Sequence, residues 1–283
     1  MTQEIPMRRT IILRLISNIL FSTFLFQFHL LSAQKVEIQY LANQGVFIKS
    51  ANTQLLIDAA FQKEFEYLDV LPEAELTKIE NAEAPYDKMD LILATHVHGD
   101  HFSASMVGGH LTRNPETLFF GPTETVANFE KNFEGFEAIA TRVKAETPDL
   151  YESKTVILNG IEIKVLRLEH LGTTPWKEAE NVAYLITLED KKILHVGDAK
   201  LDVKNLEKFN LAEEDIDVAI LPFWQLGPAE QKNITDTYID PKQILAAHIP
   251  PSGQDKAQEN IDGLGYENVT ILTQQFRTII VNQ

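Results

Sequence analysis

The feature that most constrains this chain is the segment DLILATHVHGDHF, residues 90–102. Its opening, DLILAT (90–95), is a short continuous apolar run, the pattern of a strand buried on both faces. Three histidines and an aspartate follow within six positions, although only eight of the 283 residues are His. On extended backbone alternate side chains share a side, so His96, His98 and Asp100 project together. His101 follows where SASMVGG predicts the start of a helix. One short loop can thus aim two imidazoles at one point and a carboxylate with an imidazole at another nearby, as two neighbouring metal ions require. Donors without sulfur favour Zn²⁺ foremost, with Mn²⁺ or Fe²⁺ also open.

Composition narrows the chemistry further. There is no Cys, which excludes disulfides, iron–sulfur clusters, thiolate zinc sites and a cysteine nucleophile. The formal charge of −16 makes nucleic acid an unfavourable partner, since that affinity rests on cations neutralising phosphates. A chain 44% hydrophobic has enough apolar residues for a sizeable core.

The N-terminal stretch places Arg8, Arg9 and Arg14 ahead of a run rich in Leu, Ile and Phe, and ends in Ser32-Ala33 before Gln34-Lys35. That order is the signature of a secretory signal peptide, here residues 1–33, leaving 34–283 as one mature domain in the periplasm or outside the cell. The other reading is an uncleaved anchor over Ile11–Leu31. Cleavage implies no stable membrane insertion of the mature chain. The sequence leaves its oligomeric state open.

After residue 34, strands and hairpins alternate with helical patches. VEIQY (36–40), VFIKS (46–50) and QLLIDAA (54–60) read as strands; charged residues 62–88 have helical spacing broken at Pro72 and Pro85. TLFFGP (117–122) predicts another strand, with a helix opening at Thr123. The second half restarts a similar pattern. Asn159-Gly160 is a two-residue hairpin signal between alternating runs, and a second hairpin turns at Glu189-Asp190. Strands follow at 216–222, 243–250 and 269–281. Two strand-rich halves with interspersed helices predict two sheets packed together and covered by helices.

THVHGDH resembles the metal-binding motif of the metallo-β-lactamase superfamily, and the rest of that pattern recurs in order along residues 36–250. An early acidic residue stands at Asp58 in LLIDAA, a distant His at His170 in RLEHLG, a Gly-Asp pair ends in Asp198 in HVGDA, and a last His is His248 in LAAHIPP. YLANQGVFIKSANTQLLIDAA is similar to the opening hairpin of the branch that includes ascorbate-phosphate lactonases. The resemblance implies an α+β fold, a four-layer αββα sandwich. It implies that His96, His98 and His170 hold one metal, and that Asp100, His101 and His248 hold a second. Asp198 would bridge the two, and Asp58 would support them by hydrogen bonding. Phe102 stands where some β-lactam-degrading members carry a further His, which argues against that activity.

The function so implied is hydrolysis by a dinuclear zinc-bound hydroxide, formed because the shared metals lower a water's pKa from ~15.7 to near 7. Asp100 takes the proton-transfer role. The substrate expected is a small extracytoplasmic ester, lactone, amide or phosphodiester. Trp176, Phe223 and Trp224 are the candidate walls of its pocket. Two other readings stay open: a mononuclear iron oxygenase on the same scaffold, and a non-catalytic metal-binding protein of the cell envelope. Of the remaining histidines, His195 reads as a packed strand residue and His110 as the surface end of a Gly-Gly turn. His29 belongs to the leader.

Overall fold

The computed structural model describes residues 35–62, 67–227 and 229–281. The expected signal peptide, residues 1–33, and its expected cleavage point lie outside them. Among the described residues no helix is long and apolar enough to cross a membrane.

Lys35–Gln283 form one compact unit. Its first sheet is built from β1 (Val36–Ala42), β2 (Gly45–Lys49), β3 (Gln54–Ile57), β4 (Leu91–Leu93), β5 (Leu118–Gly121) and β6 (Val143–Ala145), with the last strand of the chain, β14 (Thr278–Val281), beside β1. The second sheet contains β7 (Ser153–Leu158), β8 (Ile161–Leu168), β9 (Asn181–Leu188), β10 (Lys191–His195), β11 (Val218–Pro222), β12 (Gln243–Ala247) and β13 (Val269–Ile271) in sequence order. Each sheet opens with three antiparallel pairings and continues with three parallel ones. The sheets therefore repeat one scheme, and β14 takes in the first the place that β7 takes in the second.

Side-chain alternation sorts the apolar residues into layers. Leu55 and Ile57 of β3, Leu91 and Leu93 of β4, Ile193 of β10, and Leu245 and Ala247 of β12 belong to a central core shared by the two sheets. Their neighbours face outward. Leu56 and Ile92 pack with Met106, Phe119 and Phe129 under the helices of the first half, which include α1 (Glu73–Glu80), α2 (Ala104–Arg113) and α3 (Thr123–Asn132). Leu194, Ile244 and Ala246 pack with Leu206, Ile234 and Ile261 under those of the second. Three apolar layers separate four layers of structure, the αββα sandwich.

The Asn159-Gly160 hairpin forms as expected: both residues have positive φ (47° and 81°), and Leu158 pairs with Ile161 across the turn. Two expectations need correction. Residues 269–281 are not one strand. The chain turns at 272–277, with Phe276 at φ 65°, and crosses from β13 in the second sheet to β14 in the first. His110 is not on the surface. Gly108-Gly109 lie inside α2, where they permit close packing: a Cβ on Gly108 would stand 2.4 Å from the Phe133 ring and one on Gly109 2.6 Å from Glu80 Cγ. His110 is buried, with Nδ1 donating to the Ile79 carbonyl at 2.6 Å.

Candidate metal centre

Every ligand candidate, and the supporting Asp58, sits at or just beyond the C-terminal end of a strand. Asp58 follows β3 and the 96–101 loop follows β4, which runs parallel to it. His170, Asp198 and His248 follow β8, β10 and β12, which run in one direction within the second sheet. Polar groups carried by loops at strand ends can meet in a crevice without interrupting either ladder. Val182 N donating to the Thr95 carbonyl at 3.0 Å and Tyr184 Oη donating to the Ala94 carbonyl at 2.7 Å tie the two sheets together there.

The side chains converge as two groups. His96, His98 and His170 form one; Asp100, His101, Asp198 and His248 form the other, and within each the ligand atoms lie within 4.8 Å of one another. Asp198 joins them. Its Oδ1 is 3.5 Å from His101 Nε2, and its Oδ2 is 3.7 Å from Nε2 of both His248 and His170. Asp100 Oδ2 stands 3.5 Å from His101 Nε2 and 3.4 Å from His248 Nε2. These separations exceed ordinary N–H···O lengths. They approach the ~3.3–3.4 Å expected between two donors that each lie about 2.0–2.1 Å from one tetrahedral zinc ion.

Hydrogen bonding fixes which ring nitrogen faces the centre. Thr95 Oγ1 donates its only proton to Asp58 Oδ2 at 2.6 Å, so at 3.0 Å from His96 Nδ1 it accepts the ring's N–H. His101 Nδ1 donates to the same Asp58 oxygen at 2.8 Å, and His170 Nδ1 donates to the Leu171 carbonyl. Each of these rings has spent Nδ1 on a support, which leaves Nε2 for a metal. Nε2 of His96, His101, His170 and His248, with Asp198 Oδ1, are buried and lack a hydrogen-bond partner. Such orphaned acceptors are costly unless a cation satisfies them. The residues fit a metal pair.

Electrostatics agree. Burial, then the neighbouring His101, hold His96 well below the ordinary imidazole value. Burial, with His170 and His101, pushes His98 down to about 4, and burial lowers His170. These rings are neutral at neutral pH, the state that coordinates. Burial opposes ionisation of Asp100 and Asp198, yet the facing imidazoles keep both carboxyls well below the usual carboxylate range. Burial also opposes charge on His101, but Asp198, Asp100 and Asp58 together hold it well above the imidazole value, so a positive charge is favoured at its position.

The chemistry faces a cleft of about 300 Å³ lined by Tyr67, His98, Gly99, Asp100, His170, Leu171, Gly172, Trp176, Asp198 and His248. Trp176 thus lies where the sequence places a pocket wall, its ring meeting His98 edge-on at 5.2 Å. Phe223 and Trp224 are not in that wall. They occupy a short turn after β11 and line a separate hollow with Gly227, Asn260, Ile261 and Leu264, because Phe223 packs on the outer core of the second sheet. Trp224 still reaches the centre indirectly, its ring 4.3 Å from that of His248. Phe102 is buried between Phe119 and Phe129 and faces away from the ligands. His195 is a packed residue: Nδ1 accepts from Gly197 N at 3.2 Å and Nε2 donates to the Gln44 carbonyl at 3.0 Å.

The sequence profile of the β-lactamase superfamily domain matches residues 53–254, which span the strand ends and all seven candidate ligands. This chain belongs to the β-lactamase superfamily. Its similarity to one curated member, a UPF0173 metal-dependent hydrolase of Polaromonas sp., is 22% identity over 84% of this chain and 86% of that protein. Among solved structures, the metallo-β-lactamase fold protein YhfI of Bacillus subtilis superposes with a TM-score of 0.60 at 16% identity, over 87% of this chain and 99% of that one. CmlA, a diiron β-hydroxylase from Streptomyces venezuelae, superposes with a TM-score of 0.54 at 15% identity, over 87% of this chain and 54% of its own. Proteins of different chemistry thus share this fold, so the chemistry has to be argued from the side chains of the centre.

Thr95, Asn181, Asn43 and Gln44 were not legible as site residues. Asn181 Oδ1 accepts from Asp198 N at 3.0 Å and its Nδ2 donates to the Val196 carbonyl at 3.2 Å, bracing the Gly-Asp turn. Thr95 offers its adjacency to His96 as a signal, and Asn43-Gln44 lie in the opening hairpin that carries the resemblance, but neither signal assigns a role to these side chains.

Proposed function

We propose that this chain is a metal-dependent hydrolase that holds two divalent ions, zinc foremost, and cleaves a small uncharged ester, lactone or amide outside the cytoplasm. The observation that carries this reading is the set of buried, unpartnered Nε2 atoms and the Asp198 carboxylate shared between the two ligand groups. His96, His98 and His170 would hold one ion, Asp100, His101 and His248 the other, with Asp198 between them. When bound, the pair supplies a water of lowered pKa as nucleophile and a Lewis acid for the substrate oxygen.

The residues do the rest. Asp100 makes its contacts with Asn43, His101 and His248 through Oδ2, and it lines the cleft, so Oδ1 is the atom that would take and return a proton. Thr95 and Asp58 keep His96 and His101 in one tautomer during turnover. Beyond the ligand groups, the described wall consists of Tyr67, Gly99, Leu171, Gly172 and Trp176, with no Lys or Arg among the described lining residues. Such a wall favours an uncharged, partly apolar carboxyl derivative over a phosphodiester. The extracytoplasmic assignment rests on the leader ending at Ala33.

The test is a panel of esters, lactones, amides and phosphodiesters offered to the zinc-loaded mature chain and to His98→Ala and Asp100→Asn. Turnover of a carboxyl derivative that both substitutions reduce by two orders of magnitude or more supports the reading. A panel without turnover that depends on these residues returns the chain to a binding role.

A further inference from the structure

The two-residue turn Asn43-Gln44, between β1 and β2, bonds to three of the segments that build the metal centre, and Gly45 beside it meets a fourth. Asn43 Nδ2 donates to the Asp100 carbonyl at 3.2 Å and to Asp100 Oδ2 at 3.3 Å. The Asn43 carbonyl accepts from His248 N at 2.7 Å. Gln44 Nε2 donates to the Gly197 carbonyl at 3.0 Å, and the Gln44 carbonyl accepts from His195 Nε2. Gly45 follows so close to Asp58 that a Cβ there would stand 2.7 Å from the Asp58 carbonyl. Hairpin turns ordinarily show their polar side chains to water. Here Asn43 and Gln44 are fully buried, at 1% and 0% exposure.

The turn's bonds are distributed unevenly. Those of Asn43 go to Asp100 and His248, both in the second ligand group, and those of Gln44 go to the segment leading into Asp198. The supports of the first group are different ones: Thr95 for His96 and the Leu171 carbonyl for His170. Asp100 has Asn43 as a neutral donor to Oδ2, which fixes the carboxylate's rotation without competing for charge. We infer that Asn43 is a positioning residue for the second metal alone, holding Asp100 and His248 at the spacing that ion requires. The inference rests on the reading of the seven side chains as a two-ion centre.

Asn43 has φ 55°, a conformation that Asn, Asp and Gly adopt readily. Asn43→Gly therefore keeps the turn and the carbonyl that holds His248, and removes only the amide facing Asp100. Asn43→Asp keeps the side chain's size and sets a carboxylate against Asp100 in place of the donor. The experiment titrates Zn²⁺ calorimetrically into the chelator-stripped full chain as wild type, Asn43→Gly and Asn43→Asp, with thermal melts of each stripped protein.

Wild type should take two ions. Both variants should bind the first ion as wild type does and the second about 10- to 100-fold more weakly, the usual effect of losing a support behind a ligand. Wild-type affinity for the second ion in both variants overturns the inference, and so does an equal weakening of both ions, which would make the turn a general brace. If Asn43→Gly does not fold, Asn43→Asp decides by the same criteria. A wild type that takes fewer than two ions removes the two-ion reading, and the inference with it. Two ions in wild type with second-ion affinity unchanged in both variants removes the inference alone.

Discussion

Asp58 Oδ2 lies 2.8 Å from His101 Nδ1 and 2.6 Å from Thr95 Oγ1, while Thr95 Oγ1 in turn lies 3.0 Å from His96 Nδ1. One buried carboxylate thereby sets the orientation of an imidazole in each ligand group. Asp58→Asn cannot accept both bonds at one oxygen if the amide nitrogen takes that place. The substitution should weaken both ions about 10- to 100-fold in a zinc titration. Loss confined to one ion would show that Thr95 orients His96 without Asp58.

Gly197 precedes Asp198 at φ 58°, and a Cβ there would stand 2.5 Å from Thr95 Oγ1 and 2.6 Å from Asn181 Oδ1. The strained backbone and the clash fall on the groups that brace Asp198 and support His96. Gly197→Ala should cost about 2–4 kcal/mol of stability by chemical denaturation of the stripped chain. A change within about 0.5 kcal/mol would mean that the Gly-Asp turn relaxes freely.

Trp176 is 58% exposed in the cleft wall, so it contributes little to the core. Trp176→Ala should leave stability within about 0.5 kcal/mol. KM for an apolar ester should rise about 2- to 12-fold, the range of one lost aromatic contact, with kcat nearly unchanged. A fall in kcat at constant KM would instead place Trp176 in the chemical step.

What the sequence made legible follows from how local each signal is. Leu91–Leu93 form a strand buried on both faces, and an unbroken apolar run says so by itself. Asn159-Gly160 dictates its own turn. The ligands were legible because four of them share one loop and the others repeat a known order. Residues 269–281 misled because β13 and β14 are each short apolar runs, and nothing local signals a change of sheet. His110 misled because two glycines that allow α2 to pack closely have the same letters as a turn. Asn43 and Gln44 stayed hidden for a third reason: they look like ordinary hairpin residues, and their partners lie 57 and 151 residues away.

The central claim is a centre of two ions, and elemental analysis of the full chain purified without added metal tests it most directly. Two equivalents of divalent metal per chain are expected, zinc foremost, falling to one or none in His98→Ala. One equivalent of iron without zinc, or no metal in a folded chain, would contradict it.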